Sequence, residues 1–210
     1  MNLEKKGILI VVSGFSGAGK GTLMKELLKK YPDDYALSIS ATSRKPREGE
    51  QEGVEYFFKT REEFEKMIEG EELVEYAQYV GNYYGTPKAY VEEQLEAGKD
   101  VILEIDIQGA SKIKEKFPQT VLMFVTPPSA EELKNRLVKR GTEDMETIER
   151  RLSRAVEEAE GIENYDYIVI NDKLEECVSQ MHSLIQAAHF SPSRNEEFIE
   201  NMRKELEAFK

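Results

Sequence analysis

Tryptophan is absent from this 210-residue chain, and cysteine occurs once. The lone Cys177 excludes an internal disulfide. It sits in "LEECVSQMHSLIQ", an apolar helical pattern, so a buried, inert thiol is expected there. No apolar run reaches the length of a membrane-spanning helix. "ILIVV" near the start is too short for a signal core and runs straight into a glycine-rich stretch. Basic charge is also in deficit: 29 Lys and Arg against 41 Asp and Glu leave a net charge of -12. That balance argues against a general nucleic-acid binder and against a basic membrane-surface protein. It leaves room for an anionic substrate, because a few local arginines can outweigh a distant acidic surface. A reduced, cytoplasmic setting is the default.

What is present suffices for a core, with 40% hydrophobic residues in a length typical of one large domain. "GILIVV", "DVILEID", "TVLMFV" and "DYIVI" read as short buried strands, rich in β-branched residues. A helix from about Lys20 to Tyr31 follows the first. "QGASKIKEKF", "SAEELKNRLVKR" and "METIERRLSRAVEEAEGI" carry helical periodicity between the others. Alternating strands and helices predict a parallel sheet covered on both faces. Ser129 with Glu132 forms a capping-box pattern, and Thr86-Pro87 reads as an N-cap with proline in the first turn. From about Leu37 to Thr86 the alternation breaks: "EYFF", a charged helix "TREEFEKMIEG", then "LVEYAQYVGNYYGT" with a Gly-Asn turn. This stretch reads as a small mixed insertion. The tail carries Phe198, Met202, Leu206 and Phe209 at roughly helical spacing. A terminal helix packed on the body is expected, with a homodimer contact as the alternative.

From Gly14 the chain runs Gly14, Phe15, Ser16, Gly17, Ala18, Gly19, Lys20, between a predicted strand and a predicted helix. In that context glycines let backbone N–H groups converge on phosphate oxygens. The helix N-terminus adds partial positive charge, and Lys20 can reach the β- and γ-phosphates. A plain glycine turn is the alternative, and the strand–loop–helix context speaks against it. Gly21 stands where a magnesium-binding hydroxyl is usual, with Thr22 next. Asp106, at the end of "VILEID", could hold Mg²⁺ through water, although acids are common at strand ends for no chemical reason.

A second anion site is suggested by "ATSRKPREGEQEGVEYFF". Arg44 and Arg47 flank Pro46, which keeps the segment out of a helix. Two guanidiniums can grip a dianionic phosphate by forked hydrogen bonds, and Tyr56, Tyr83 and Tyr84 offer hydroxyls. A solvated basic turn is the alternative. A third group, Arg136, Arg140, Arg150, Arg151 and Arg154, falls on predicted helices where glutamates could simply pair with it. Phosphoryl transfer, however, uses cations over the moving group, and "KRGTED" supplies a glycine hinge.

In order and spacing, "SGFSGAGKGT", "SATSRKPREGEQEGVEYFF", "EYAQYVGNYYGT", "LEIDIQGA" and "PPSAEELKNRLVKRGTED" make the chain resemble guanylate kinase from about Gly7 to Ala188. The resemblance implies an α/β P-loop NTPase fold. Its core would be 1–36, 90–130 and 158–210 (the last with the helical tail), with a GMP-binding lobe at 37–89 and a helical lid at 131–157. It implies Arg44, Arg47, Tyr56 and Tyr84 at the GMP phosphate, and Ser40, Glu75 and Thr86 at guanine, with Glu104 a further acidic position. It places Arg136, Arg140 and Arg151 over the ATP phosphates and Asn171 near adenine. Phe15 stands where the family often has proline, and the Gly21-Thr22 variant is shared by many monophosphate kinases.

The resemblance therefore implies ATP and GMP, with dGMP as a further acceptor, as substrates and Mg²⁺ as cofactor. Chemically, a carboxylate at Glu75 can accept from guanine N1–H and N2–H₂ together, whereas adenine presents an acceptor at N1. Such a site can reject the wrong base by about 10⁴-fold. A surface glutamate is the plain alternative for Glu75. Two rivals to the whole reading remain: a monophosphate kinase for AMP, and a phosphopeptide-binding module of the same fold. Gly14, Gly19 and Lys20, all retained, speak against the second, as does the expected lack of attached scaffold domains.

Overall fold

The computed structural model describes residues 6–79, 81–139 and 144–209. Five short strands form the core sheet: β1 (Leu9–Gly14), β2 (Tyr35–Leu37), β7 (Asp100–Glu104), β8 (Val121–Thr126) and β9 (Tyr167–Ile170). All neighbours are parallel, in the order β2-β7-β1-β8-β9. Strands buried on both faces need continuous apolar runs, which is why "LIVV", "VIL" and "VLMFV" are unbroken. Helices α1 (Lys20–Lys30) and α7 (Leu174–Ala188) cover one face through Leu23, Met24, Leu27, Val178, Met181 and Ile185. On the other face, α3 (Lys88–Glu96) and α4 (Ile107–Lys116) bury Val91, Ala110 and Ile113 against Val11, Val101, Leu103 and Leu122. Each such side chain, fully buried, contributes roughly 1.5–3 kcal/mol. Cys177 is buried in the α1–α7 face, and burial pushes its thiol up to about 11, so it is inert as expected.

Buried Asp100 fastens the opposite end of the sheet. Its carboxylate accepts from the Ile8 amide at 2.8 Å and lies 2.9 Å from His189 Nε2, joining the starts of β1 and β7 to the end of α7.

The interruption in the alternation is a second, four-stranded sheet. It contains β3 (Ala41–Thr42), β4 (Phe57–Phe58), β5 (Leu73–Tyr79) and β6 (Asn82–Pro87), in the order β4-β3-β6-β5. Helix α2 (Arg61–Glu69) backs it, closed at its N-terminus by a complete capping box between Thr60 and Glu63. Its core is separate: Ala41, Phe64 and Leu73 are buried together, with Phe64 stacked on Tyr83 at 5.2 Å. Tyr79 pairs directly with Asn82, so Asn82 belongs to the strand and not to the predicted Gly-Asn turn. Gly81, at φ 76, takes the left-handed conformation that a tight hairpin demands.

A third cluster lies where α5 (Ala130–Lys139) meets α6 (Met145–Ala159), burying Leu133, Leu137, Ile148 and Ala155. Glu132 N donates to Ser129 Oγ at 3.1 Å, the forward half of the expected capping box.

Three expectations need correction. The third core strand stops at Glu104, and Asp106 is instead the N-cap of α4, its Oδ1 accepting from Gly109 N at 2.9 Å. Thr86 is a buried strand residue, and Pro87, extended at φ -61, holds the cap position of α3. The tail forms α8 (Glu196–Glu207), but Phe198, Met202, Leu206 and Phe209 are exposed. Its main contact is the turn at Pro192–Arg194, and its apolar stripe is not packed on the body.

Because Phe64 is the largest member of a small core, Phe64→Ala should lower unfolding stability by about 3–5 kcal/mol in a urea titration. A loss below about 1 kcal/mol would show that the small sheet does not depend on this cluster.

Candidate active site

β1, β7 and β8 end at the same side of the sheet, where the loops after β1 and β7 and helix α6 enclose one cleft. Its walls include Gly14, Ser16, Lys20, Glu104, Asp106, Arg151 and Arg154, around a volume of about 600 Å³. Ligand sites in open parallel sheets lie at these carboxyl ends.

The glycine loop is held by its own backbone and by its neighbours. Lys20 Nζ donates to Gly14 O at 2.7 Å and to Phe15 O at 3.2 Å, which curls the lysine over the loop. Burial lowers the pKa of Lys20, against the opposing pull of Glu104 and Glu158. Gly19 sits at φ 88, and a Cβ there would lie 2.6 Å from Asn171 Nδ2, so glycine is required on both conformational and steric grounds. Phe15 packs edge-to-face on Phe124 with centroids 5.0 Å apart. It also touches the α5–α6 cluster. An aromatic at this position therefore joins loop, sheet and helical pair. Gly21 and Thr22 are exposed in the first turn of α1.

The helix arginines divide by partner. Arg151 Nη1 donates to Ser16 Oγ at 2.8 Å, on the cleft side of the loop. Arg136 instead donates to Glu132 at 2.8 Å, Asn171 O at 2.8 Å and Ala18 O at 3.3 Å. Asn171 is buried, and its side-chain amide donates to Ala18 O at 2.8 Å. Arg136 and Asn171 thus clamp the loop from behind. Arg140 lies outside the described residues. Arg154, on the next turn of α6, reaches 3.8 Å from Asp106 Oδ2.

Two carboxylates face the loop. Glu104 opens onto the cleft but has protein on its other sides; this desolvation raises its pKa, and Lys20 pulls it back. Asp106 spends Oδ1 on its cap and turns Oδ2 towards Arg154. No group of three or more metal-ligating side chains occurs among the described residues.

The small sheet carries the other predicted residues. β5 and β6 shift register between Leu73 and Tyr76, an irregularity that the alternating pattern of the sequence does not announce. Such bulges re-aim side chains. Here Val74 turns into the core beside α4, while Glu75 turns to Thr86, whose Oγ1 donates to it at 2.9 Å. Burial raises the pKa of Glu75; the Thr86 hydrogen bond opposes this and the nearby Asp106 adds to it. Arg44 stacks over the Tyr56 ring at 5.3 Å, and Tyr56 and Tyr84 meet at 6.0 Å. Arg47 is exposed and donates its backbone N–H to Glu50. Ser40 is half-buried at the head of β3, its carbonyl accepting from Phe57 N at 2.9 Å. Glu50, which sequence reasoning passed over, binds Arg44 through both carboxylate oxygens at 2.8 and 3.0 Å. Its signal was an acid three and six residues after the two arginines.

A glycine loop closed by a lysine, at the carboxyl end of a central parallel strand, defines a P-loop nucleotide-binding protein; a second, small sheet carries Arg44 and Arg47 beside it. The guanylate kinase family model matches residues 6–188. The chain is 50% identical over 203 residues to guanylate kinase of Bacillus cereus, covering 97% of this chain and 99% of that one. It is 50% identical over 205 residues to guanylate kinase of Caldanaerobacter subterraneus, covering 98% and 99%. The crystal structure of guanylate kinase from Anaplasma phagocytophilum superposes with a TM-score of 0.69 at 32% identity, covering 90% of each chain. The chain belongs to the guanylate kinase family, the ATP:GMP phosphotransferases.

Gly19→Ala should fold but weaken ATP binding at least about tenfold in calorimetric titration, because the added carbon displaces Asn171 and distorts the loop. Unchanged affinity would show that the loop tolerates a non-glycine backbone there.

Proposed function

We propose that the chain transfers the γ-phosphoryl group of Mg-ATP to GMP, and also to dGMP, with the residues of this cleft in the following roles. The loop amides and Lys20 cradle the donor phosphates. Arg151, already at the loop, and Arg140 neutralise charge on the moving phosphoryl group, while Arg136 keeps the loop and Asn171 in place. Arg44, Arg47, Tyr56 and Tyr84 hold the acceptor phosphate in line. Glu75 and Thr86 read guanine, with Ser40 and Glu104 beside them. The acceptor phosphate oxygen is itself a competent nucleophile, so no general base is required; positioning and electrostatics carry the step. The lobe at 37–89 and the lid at 131–157 close over the substrates and exclude water. The setting is cytoplasmic; no helix among the described residues is long and apolar enough to cross a membrane.

The observation that carries this reading is the half-buried Glu75, hydrogen-bonded to buried Thr86, in a chain whose phosphate loop is intact. A half-buried carboxylate with one donor already assigned needs further donors, and the N1–H and N2–H₂ edge of guanine supplies them. The magnesium site fits the same cleft. Mg²⁺ keeps several waters and takes few protein ligands. Asp106, with Oδ2 unspent by its cap, and Glu104 could hold those waters, and the exposed Thr22 lies in the first turn of α1, two residues after Lys20. When bound, the ion would neutralise charge on the β- and γ-phosphates.

ADP release from Mg-ATP, with GMP, dGMP, AMP, CMP and UMP offered separately, tests the whole assignment. Turnover with GMP and dGMP alone is expected. Preference for AMP would overturn the role of Glu75, and no turnover with any acceptor would favour a phosphopeptide-binding module.

A pH series tests Glu75 further. Guanine binding needs the carboxylate ionised, and burial raises its pKa. KM for GMP should therefore climb on acidification from a higher pH than an ordinary carboxylate would impose, while KM for ATP does not follow. Glu75→Gln should lose that acid limb and narrow the GMP-to-AMP preference; an unchanged ratio of efficiencies would remove Glu75 from the guanine site.

A further inference from the structure

Arg44 has five N–H donors in a plane, and the structure shows how they are distributed. Nη1 donates to Glu50 Oε2 at 3.0 Å and to Lys45 O at 2.8 Å, which uses both of its hydrogens. Nη2 donates to Glu50 Oε1 at 2.8 Å. The end-on fork of the guanidinium is therefore occupied by one carboxylate. The side-on fork, formed by Nε–H and the second Nη2–H, takes no part in these bonds. Tyr84, the remaining polar partner of Arg44, therefore stands at this side-on fork, and Tyr56 lies under the plane. Glu50 Oε2 also accepts from the Arg47 backbone N–H at 2.7 Å, and Glu50 N donates to Arg47 O at 3.1 Å. One acid thus closes the 44–50 loop on itself and fixes the roll of the Arg44 plane. Both side chains of the pair are largely covered, at 14% and 17% exposure, which leaves little room for an alternative arrangement.

We infer that Glu50 is the positioning residue of the acceptor-phosphate site: by holding the end-on fork of Arg44 and the backbone of Arg47, it presents the side-on fork, between Tyr56 and Tyr84, to the incoming phosphate. The inference rests on the assignment of Arg44 and its neighbours to the acceptor phosphate. Glu50 itself touches no phosphate in this arrangement. A guanidinium left without that carboxylate would be free to rotate about its last bonds, and the phosphate would then have to order it at binding. Glu50 also leaves the Arg44–Arg47–Glu50 cluster with a single net positive charge, so the pocket attracts a dianion without being strongly cationic when empty.

The test compares GMP with guanosine, which lacks only the phosphate. Affinities of both are measured by calorimetry for the wild-type chain, Glu50→Gln and Glu50→Asp. In the wild-type chain GMP should bind far more tightly than guanosine; if it does not, the assignment of the phosphate site itself fails, whatever Glu50 does. Given that difference, Glu50→Gln should lose about ten- to a hundredfold in GMP affinity with guanosine affinity unchanged. Its KM for GMP should rise while KM for ATP stays, and Glu50→Asp should recover part of the loss. Tighter GMP binding in Glu50→Gln would overturn the inference, since it would mean that Glu50 competes with the phosphate for Arg44. An equal loss for GMP and guanosine would also overturn it, by reducing Glu50 to a general support of the lobe.

Discussion

The placement of β1 between two parallel strands, with Val11 against Leu103 on one side and Leu122 on the other, brings three loops to one edge of the sheet. Without that pairing the phosphate loop would have no fixed relation to Glu104 at the end of β7 and Asp106 beyond it, or to Thr126 at the end of β8 and Asn171 just after β9. The register does chemical work at a distance. It sets Asn171 behind Ala18, and through it the clamp of Arg136, and these two side chains brace the loop from behind. The far edge is fastened by Asp100, which leaves the reacting edge free to carry irregular backbone.

Electrostatically the cleft runs against the rest of the molecule. An acidic chain with a net charge of -12 gathers Lys20, Arg151 and Arg154 in the cleft and Arg44 with Arg47 beside the small sheet. Three of these cations have a nearby acid: Glu104 for Lys20, Asp106 and Glu158 for Arg154, Glu50 for Arg44. The acids hold the cations at fixed positions while the site is empty, so little reorganisation remains when phosphates arrive.

Legibility followed the range of the interactions involved. The phosphate loop could be read because strand, glycines, lysine and helix are consecutive, and the buried strands because both faces demand apolar residues. Glu75 could be named only by resemblance. Its burial comes from a bulge that shifts register between Leu73 and Tyr76, and a bulge has no pattern in an alternating strand. Thr86 was misplaced because a threonine before a proline is also a good helix cap; the pairing of Pro87 with Leu73 decided the matter. "VILEID" gives no sign of where the ladder stops, so the sequence does not separate a strand end at Asp106 from the helix cap that it forms. Arg136 looked like its neighbours on the helix, and only tertiary contacts turn it to the back of the loop. The tail failed most plainly: helical spacing of Phe198, Met202 and Leu206 predicts a helix correctly but does not say what, if anything, it covers.

The Phe64 cluster shares no buried residue with the clusters beneath the phosphate loop. Selection can therefore act on the two halves of the cleft separately. Substitutions within the Phe64 cluster can accumulate without repacking the apolar layers beneath the phosphate loop, so the small sheet can drift while the core keeps its shape. The loop, by contrast, is tied through Phe15 to both the sheet and the helical pair, and changes there are felt in every part at once.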